Sequence, residues 1–225
     1  MEFNANLFKP FGPFLMESDC PDFIVDQINN RVDEILSDEN LRKENSNFSG
    51  EKIPNLLNRD LENIFLEYEF CEEIGLTDYV EYISNEYISE SIEEGLFGEW
   101  AKENKDVKLK LQSLEEISDK NFADAWVNIY HENDFTPIHD HGGVLSGVMI
   151  LEFPEEINEY PDASPLGKLN FAYGSNNQYE QYEYYPEQYV GKTIIFPNRI
   201  PHIYYPHRIS GKQRRSLSFN MALDD

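Results

Sequence analysis

The spacing of apolar residues changes once along this chain, near residue 107, and that change limits the folds the chain can adopt. Upstream, apolar residues recur at intervals of three and four, as amphipathic helices require. We predict one helix from about residue 22 to 36, with Asp19 or Asp22 as its N-cap, and a second helical region from about 56 to 95 that breaks at Gly75. The apolar faces would carry Phe23, Ile24, Ile28, Val32, Ile35 and Leu36 in the first helix, then Leu61, Ile64, Phe65 and Tyr68, and after the break Tyr79, Val80, Ile83, Tyr87 and Ile92.

Downstream of residue 107 the pattern becomes that of β-strands. Residues 107–111 alternate apolar and polar, and short apolar runs follow, separated by Gly, Pro, Asn and acidic residues. Helices followed by strands predict an α+β chain whose C-terminal half closes into a sandwich or barrel. We expect a single domain over 1–225, with a mainly helical support over 1–105 and the β core over 106–225. The later apolar runs are 126–130, 144–153, 169–173, 193–196 and 216–223.

The charge of the chain excludes two classes of partner. The formal net charge is −25 at pH 7 and the isoelectric point is near 4.4, so affinity for nucleic acid or for an anionic membrane is not expected. Between Val190 and Arg215, however, there are six basic and no acidic residues, which favours a small anionic ligand there. Two cysteines are too few for a disulfide framework, and neither a secretory leader nor a membrane span is evident, so a cytoplasmic location is expected.

Three of the five histidines have a spacing that predicts a metal site. If residues 137–141 enter a strand, His139 and His141 share one face and Asp140 lies on the other. A third ligand has to come from elsewhere, and His202 is the best candidate because it begins a predicted strand after Pro201. Imidazole ligands with an open coordination position suit Fe, Mn, Zn, Ni or Cu. A lone His-x-His more often packs or faces solvent, and the distal histidine raises the metal interpretation above that alternative.

Arg214 and Ser216 form a second candidate site. They are two residues apart on a predicted strand, so a guanidinium and a hydroxyl point from one face, as the binding of a carboxylate requires. Arg215 would face the other way. The alternative is an exposed edge strand with solvent-facing arginines.

These segments together resemble the Fe(II)/2-oxoglutarate-dependent oxygenases, and more narrowly a subgroup related to prolyl hydroxylases. The shared pattern is His-x-His-x4-Ser-Gly-Val, then Phe-Pro-x4-His, then Arg-x-Ser-x-Ser-Phe-Asn; here it occupies residues 139–148, 196–202 and 214–220. The resemblance implies a double-stranded β-helix core of the jelly-roll or cupin type. It also implies Fe(II), 2-oxoglutarate and O2 as cofactor and cosubstrates.

The resemblance further implies a role for each matched residue. His139 and His202 fall on the two histidine ligands of the family, and His141 falls where most relatives carry an acidic ligand. Either His141 is the third ligand or Asp140 replaces it through a local twist, and strand periodicity favours His141. Arg214 and Ser216 match the pair that holds the distal carboxylate of 2-oxoglutarate. Tyr130 and Asn128, on one face of the preceding strand, would assist cosubstrate binding, although both could equally be core residues.

The function predicted from this resemblance is hydroxylation of a C–H bond in a small-molecule or peptide substrate, with release of succinate and CO2. Two alternatives remain at this point. Three neutral ligands would also suit a cupin-like dioxygenase or metal hydrolase that needs no 2-oxoglutarate. A β-barrel binding module without catalytic activity would keep the same scaffold.

Overall fold

The computed structural model describes residues 5–8, 13–46, 62–95, 107–114, 121–161, 164–174 and 182–224. Within these ranges the strands form two antiparallel sheets. The elements are β1 (Ala5–Phe8), β2 (Leu15–Asp19), α1 (Asp22–Ser37), α2 (Glu39–Asn45), β3 (Glu62–Glu67), α3 (Tyr68–Glu73), α4 (Leu76–Glu93), β4 (Leu109–Leu111), β5 (Ser113–Leu114), β6 (Phe122–Tyr130), β7 (Thr136–His139), β8 (Leu145–Glu152), a 3₁₀ helix (Glu155–Glu159), β9 (Leu169–Ala172), β10 (Glu183–Tyr184), β11 (Lys192–Pro197), β12 (His202–Tyr204) and β13 (Arg214–Leu223).

The eight strands from β6 to β13 are divided equally between the sheets. The larger sheet contains the order β11-β8-β13-β6, and the smaller sheet has the order β10-β9-β12-β7. Because consecutive strands mostly alternate between sheets, the chain winds a two-layered jelly roll. The strands β1, β2 and β3 extend the larger sheet at its two edges, while β4 and β5 pair with the ends of β13 and β6.

The two faces of the larger sheet have different partners. Odd-numbered residues of β6 and β13, such as Val127 and Leu217, join an apolar cluster with the helices. Even-numbered residues point between the sheets, where Tyr130 packs with Phe171, Phe196 and other apolar side chains. The alternation of side chains along these strands therefore places the even-numbered residues on an inner surface, where a ligand site can form.

Helices α1 and α4 cover the outer face of the larger sheet. Ile24, Ile28, Val32 and Ile35 of α1 are buried as predicted, and each fully buried aliphatic side chain stabilises the fold by about 1.5–3 kcal/mol. The predicted cap is wrong, because Pro21 precedes the helix and no side chain caps it, while Phe23 is largely exposed. None of the helices in the described ranges is long and apolar enough to cross a membrane.

The predicted helical region from 56 to 95 is only partly helical. Gly75, in a left-handed conformation, does separate α3 from α4. Residues 62–67, however, form β3, which pairs with the outer edge of β6. Ile64 and Leu66 are buried on one face of this strand, and so short an apolar run fits either period. The edge of β6 offers backbone hydrogen bonds to a strand, so these residues form a strand rather than a helix. Residues 56–61 of the predicted helical region lie outside the described ranges.

Candidate metal centre and anion pocket

His139 and His202 are brought together by strand pairing. In the smaller sheet β7 lies antiparallel to β12, and the register places these two residues directly opposite each other. Their ring centroids are 4.3 Å apart. The 61-residue separation along the sequence therefore becomes a cross-strand neighbour pair, the closest side-chain relation that a sheet offers.

His141 joins this pair from outside the strand. The prediction that 137–141 form one strand is wrong at its end, because β7 stops at His139. The backbone of His141 is instead held by Asn198, whose carbonyl accepts from the His141 N–H at 2.9 Å and whose amide donates to the His141 carbonyl at 3.1 Å. Its Nε2 lies 3.2 Å from Nε2 of His202. The ligating nitrogens of all three histidines lie within 4.8 Å of one another, as a shared metal site requires.

Hydrogen bonding and burial prepare these imidazoles for a metal. Nδ1 of His139 donates to the Pro137 carbonyl at 2.8 Å and Nδ1 of His202 to the Ile200 carbonyl at 3.1 Å, which leaves Nε2 of each ring as the acceptor. Burial lowers the pKa of His202 to about 3 and the pKa of His141 to about 4, and it also lowers the pKa of His139. All three rings are therefore neutral at pH 7, the protonation state in which imidazole binds metals.

Asp140 lies apart from the three histidines. Its side chain is exposed, and a carboxylate oxygen is 3.6 Å from Nη1 of Arg199 on the surface. Among the described residues the metal-competent cluster contains His139, His141 and His202 only. The geometry thus supports His141 over Asp140 as the third ligand.

Arg214 occupies an anion pocket between the two sheets. The residue is 0% exposed, and its guanidinium carbon lies 3.9 Å from the ring centroid of Tyr204 and 4.3 Å from that of Tyr130. Nη1 donates to the Gly167 carbonyl at 2.8 Å, whereas Nε and Nη2 are buried without a hydrogen-bond partner. Burial lowers the pKa of Arg214, and no carboxylate in the described residues opposes this. A buried cation with two unused donors is costly unless an anion binds it.

The other predicted cosubstrate residues line the same inner surface. Ser216 is 0% exposed, and its hydroxyl faces the hydroxyls of Tyr130 and Tyr204. The Tyr130 hydroxyl lies 2.7 Å from Oγ1 of Thr136, and burial raises its pKa. Asn128 donates to the Ser218 hydroxyl at 2.9 Å. Strand pairing aligns Tyr130 with Arg214 and Asn128 with Ser216, so the four residues form two adjacent rows of one wall.

Nearby carboxylates neutralise most of the positive charge in the basic segment between residues 190 and 215. Lys192 pairs with Glu17 at 2.7 Å and Arg215 with Asp33 at 2.6 Å, while Lys212 and Arg199 face carboxylates at longer range. Arg208 is exposed. Of the basic residues in this segment, Arg214 alone is a fully buried cation without an acidic partner, so the anion preference comes from one residue.

Residues 124–220 match the model of a family whose description reads "Putative 2OG-Fe(II) oxygenase". The matched residues make up less than half of the chain, and this part of it is similar to that family. The match confirms the predicted resemblance to the Fe(II)/2-oxoglutarate-dependent oxygenases, whose cofactor and cosubstrates are Fe(II), 2-oxoglutarate and O2. A comparison with curated proteins finds no match.

Two solved structures have a fold similar to that of this chain. A prolyl-4-hydroxylase from Pseudomonas putida has a TM-score of 0.54 and 14% identity, covering 91% of this chain and 89% of its own. AviO1 from Streptomyces viridochromogenes Tue57 has a TM-score of 0.55 and 13% identity, covering 95% of this chain and 90% of its own. At such low identity the likeness concerns the fold, and it confirms the double-stranded β-helix within an α+β chain.

The candidate site includes residues that the sequence analysis did not select. Tyr204 packs on Arg214, and Trp126 has its ring centroid 5.9 Å from that of His141. His207 is 0% exposed and contacts the Tyr130 carbonyl through Nε2 at 3.5 Å. Strand alternation from Tyr130 would have placed Trp126 on the inner wall. Tyr204 and His207 had no such signal, because their positions depend on the pairing of β12 and on the following loop.

Proposed function

We propose that this oxygenase hydroxylates a C–H bond of a small-molecule or peptide substrate, with its iron on His139, His141 and His202 and its 2-oxoglutarate anchored on Arg214 and Ser216. The observation that carries the proposal is the pocket around Arg214. Its buried, unpaired donors share one interior with a cluster of three neutral imidazoles.

The chemistry of the donors fits the two ends of the cosubstrate. Three neutral imidazoles leave the full charge of a bound Fe(II) to attract the carboxylate and keto oxygens of 2-oxoglutarate. At the other end, Nε and Nη2 of Arg214 present two N–H donors, and Ser216 adds a hydroxyl. A guanidinium with parallel donors matches a carboxylate, which supports assigning the distal carboxylate to this pocket.

Tyr130 and Tyr204 carry no charge that would bind the anion. They position Arg214, which does. Their rings lie against the guanidinium of Arg214 and fix its plane, and their apolar faces keep water away from it. Low local polarity strengthens the attraction between Arg214 and a carboxylate. Bound iron and 2-oxoglutarate supply the oxidising chemistry, in which O2 converts the cosubstrate to succinate and CO2 and one oxygen atom enters the substrate C–H bond.

One observation favours a second candidate function. The third ligand position holds His141 rather than a carboxylate, which also suits a three-histidine dioxygenase that does not use 2-oxoglutarate. The pocket at Arg214 has no role in that alternative. The family match of residues 124–220 and the unpaired donors of Arg214 both support the first proposal.

Titration of the anaerobic Fe(II) protein with 2-oxoglutarate separates these two functions. We expect a visible charge-transfer absorption band, and in Arg214→Ala an apparent Kd for 2-oxoglutarate raised roughly 10- to 100-fold, because a hydrogen bond to a charged group contributes about 1.5–3 kcal/mol. In Ser216→Ala the change should be smaller, on the order of threefold to tenfold. The exposed Arg208 provides the control, since Arg208→Ala removes the same charge outside the pocket.

Two results would contradict the proposal. One is the absence of the band in the wild-type protein that has bound Fe(II), which would favour the second function. The other is unchanged 2-oxoglutarate affinity in both Arg214→Ala and Ser216→Ala. Circular dichroism and melting curves of each variant verify folding, and Ser216→Ala keeps the test available if Arg214→Ala is unstable.

A further inference from the structure

The inner wall continues beyond the histidines, on the side away from Arg214. Along β6 the inner residues are Tyr130, Asn128, Trp126 and Asp124, and successive members lie roughly 7 Å apart. The ring of His141 is closest to Trp126 in this series, with 5.9 Å between centroids. Asp124 is therefore about one step past the histidine cluster and roughly 20 Å from the level of Tyr130.

Exposure increases along this wall in the same direction. Arg214 and Ser216 are 0% exposed, Asn128 and Ser218 are 8% and 9% exposed, and the side chains beyond them are half-buried. Those half-buried residues are Trp126, Asp124 and Asn220. Among the described residues, the wall is thus fully buried at Arg214 and becomes partly exposed toward Asp124.

A hydrogen-bonded group of three side chains lines the open end. Nδ2 of Asn220 donates to Oδ1 of Asp124 at 3.2 Å, and the Ser146 hydroxyl donates to Oδ1 of Asn220 at 2.9 Å. The turn after His141 passes close by, since a Cβ on Gly143 would lie 3.9 Å from Cβ of Asn220. We call Asp124, Asn220 and Ser146 the mouth group.

Among the described residues, Asp124 is a partly buried carboxylate with no cationic partner. Its only side-chain partner there is Asn220, so Oδ2 is available to bind a ligand. Burial raises the pKa of Asp124, and none of the described basic side chains counteracts this. A positively charged ligand would compensate for the burial of the carboxylate.

The free acceptors suit an ammonium better than a guanidinium. A guanidinium binds most strongly when both carboxylate oxygens accept, and Oδ1 of Asp124 is already engaged by Asn220. An ammonium is a compact charge with three donors and can use Oδ2 of Asp124 together with a lone pair on Asn220. Trp126 is the next inner residue of β6, and an indole is the best aromatic partner for a cation.

We propose that the mouth group, with Trp126 beside it, receives an alkylammonium group of the substrate. This inference rests on the proposed function, because it takes the histidine cluster as the reacting centre. The substrate is then a primary amine or a lysine-like side chain whose reacting carbon lies toward the histidines. The net charge of −25 also attracts such a cation to the protein.

Two probes of equal length and different charge test the proposal. Binding of Nα-acetyl-lysine methylamide and Nα-acetyl-norleucine methylamide is measured by ligand-observed NMR, on protein supplied with Mn(II) and 2-oxoglutarate and on protein without either. We expect the lysine probe to bind at least about tenfold more tightly than the norleucine probe. Asp124→Asn should abolish this preference while leaving the norleucine affinity unchanged.

Asp26→Asn is the matched control, because it removes one carboxylate from an exposed position on α1. It should retain the lysine preference, which would show that the overall charge is not the cause. Equal affinities for the two probes, no detectable binding of the lysine probe, or a preference that survives Asp124→Asn would each overturn the proposal.

Relaxation of probe protons by Mn(II) distinguishes this proposal from the proposed function. If the preference depends on Asp124 but Mn(II) causes no enhanced relaxation, the mouth group stands and the metal assignment fails. If Mn(II) enhances the relaxation of both probes but their affinities do not depend on Asp124, the metal assignment stands and the role of the mouth group is wrong.

Discussion

At the residue scale, Asp140 and His141 are neighbours with different surroundings. Asp140 is solvent-exposed and near Arg199, whereas His141 contacts His202 and Trp126 inside the protein. If the metal binds as proposed, His141 provides an imidazole at the position where most members of the family that this chain resembles carry an acidic ligand. The bound metal would then keep a higher positive charge than a carboxylate ligand would allow.

Substitution of His141 should weaken metal binding strongly, whereas substitution of Asp140 should leave it almost unchanged. Loss of an outer hydrogen-bond partner alone weakens metal binding 10- to 100-fold, so loss of a ligand in His141→Ala should weaken it by more than about 100-fold. Asp140→Ala should leave Mn(II) affinity within about threefold of the wild-type value, since the side chain is exposed. Calorimetric titration with Mn(II) measures both; a larger loss in Asp140→Ala than in His141→Ala would reverse the ligand assignment.

The sequence predicted the identities of these site residues better than their positions. Two-residue spacing was enough to place Arg214 with Ser216 on one face, because a strand has a fixed period. His141 lies beyond the end of β7, and its place depends on hydrogen bonds from Asn198, which is 57 residues away. No local pattern encodes such a contact, so the predicted strand was too long, although the three histidines do lie close together.

At the element scale, the Ser-Gly-Val and Arg-x-Ser-x-Ser-Phe-Asn segments of the matched motifs meet in the pairing of β8 with β13. Gly147 lies opposite Phe219 in the strand pairing. A Cβ on Gly147 would be 2.1 Å from the end of the Phe219 ring, so the ring occupies the place of the missing side chain. On the inner face the neighbouring residues, Ser146 and Asn220, are hydrogen-bonded.

Gly147→Ala should therefore destabilise the fold. Overpacking of this kind typically costs about 1–3 kcal/mol, because the ring or the strand has to move. The combined variant Gly147→Ala with Phe219→Leu should lose less stability than the sum of its two single changes, since a smaller side chain removes the clash. Urea denaturation gives the free energies of unfolding; strict additivity would show that Phe219 is not what excludes a side chain at position 147.

The elements were predicted correctly where one period ran far enough. Helix α1 and strand β8 are long and regular, and both were expected close to their observed bounds. The six residues of β3 were expected to be helical, because they suit two periods equally and their partner strand comes almost 60 residues later. Short elements of this kind are decided by tertiary pairing rather than by local sequence.

At the scale of the whole molecule, an ion pair between helix α1 and the larger sheet helps to hold the inner wall in place. Arg215, next to Arg214, reaches outward to Asp33 of α1 at 2.6 Å and to Glu152 of β8 at 3.2 Å. The same strand thus presents one arginine to the interior and one to the supporting helix. Helix α1 therefore holds β13, and with it the wall that carries Arg214, from the outer face of the larger sheet.

Binding of a metal at the three histidines and of 2-oxoglutarate at Arg214 should raise the melting temperature. At a ligand concentration of 100 times Kd, binding to the folded state adds about 2.7 kcal/mol, which for a chain of this size corresponds to roughly 5–10 °C. We expect such a shift with Mn(II) plus 2-oxoglutarate, and a smaller shift with Mn(II) alone. Differential scanning fluorimetry measures it, and addition of EDTA should restore the original value; an equal shift with 2-oxoglutarate in His141→Ala and wild type would separate the anion pocket from the metal.

The rise in exposure from Arg214 to Asp124 has a kinetic consequence. Among the described residues, the proposed pocket for 2-oxoglutarate lies at the more buried end of the wall, and a molecule bound at Asp124 would lie across the more exposed end. The cosubstrate then has to enter first and succinate has to leave last. Steady-state rates should accordingly follow a compulsory binding sequence, with excess substrate slowing turnover by trapping protein that has not yet received 2-oxoglutarate.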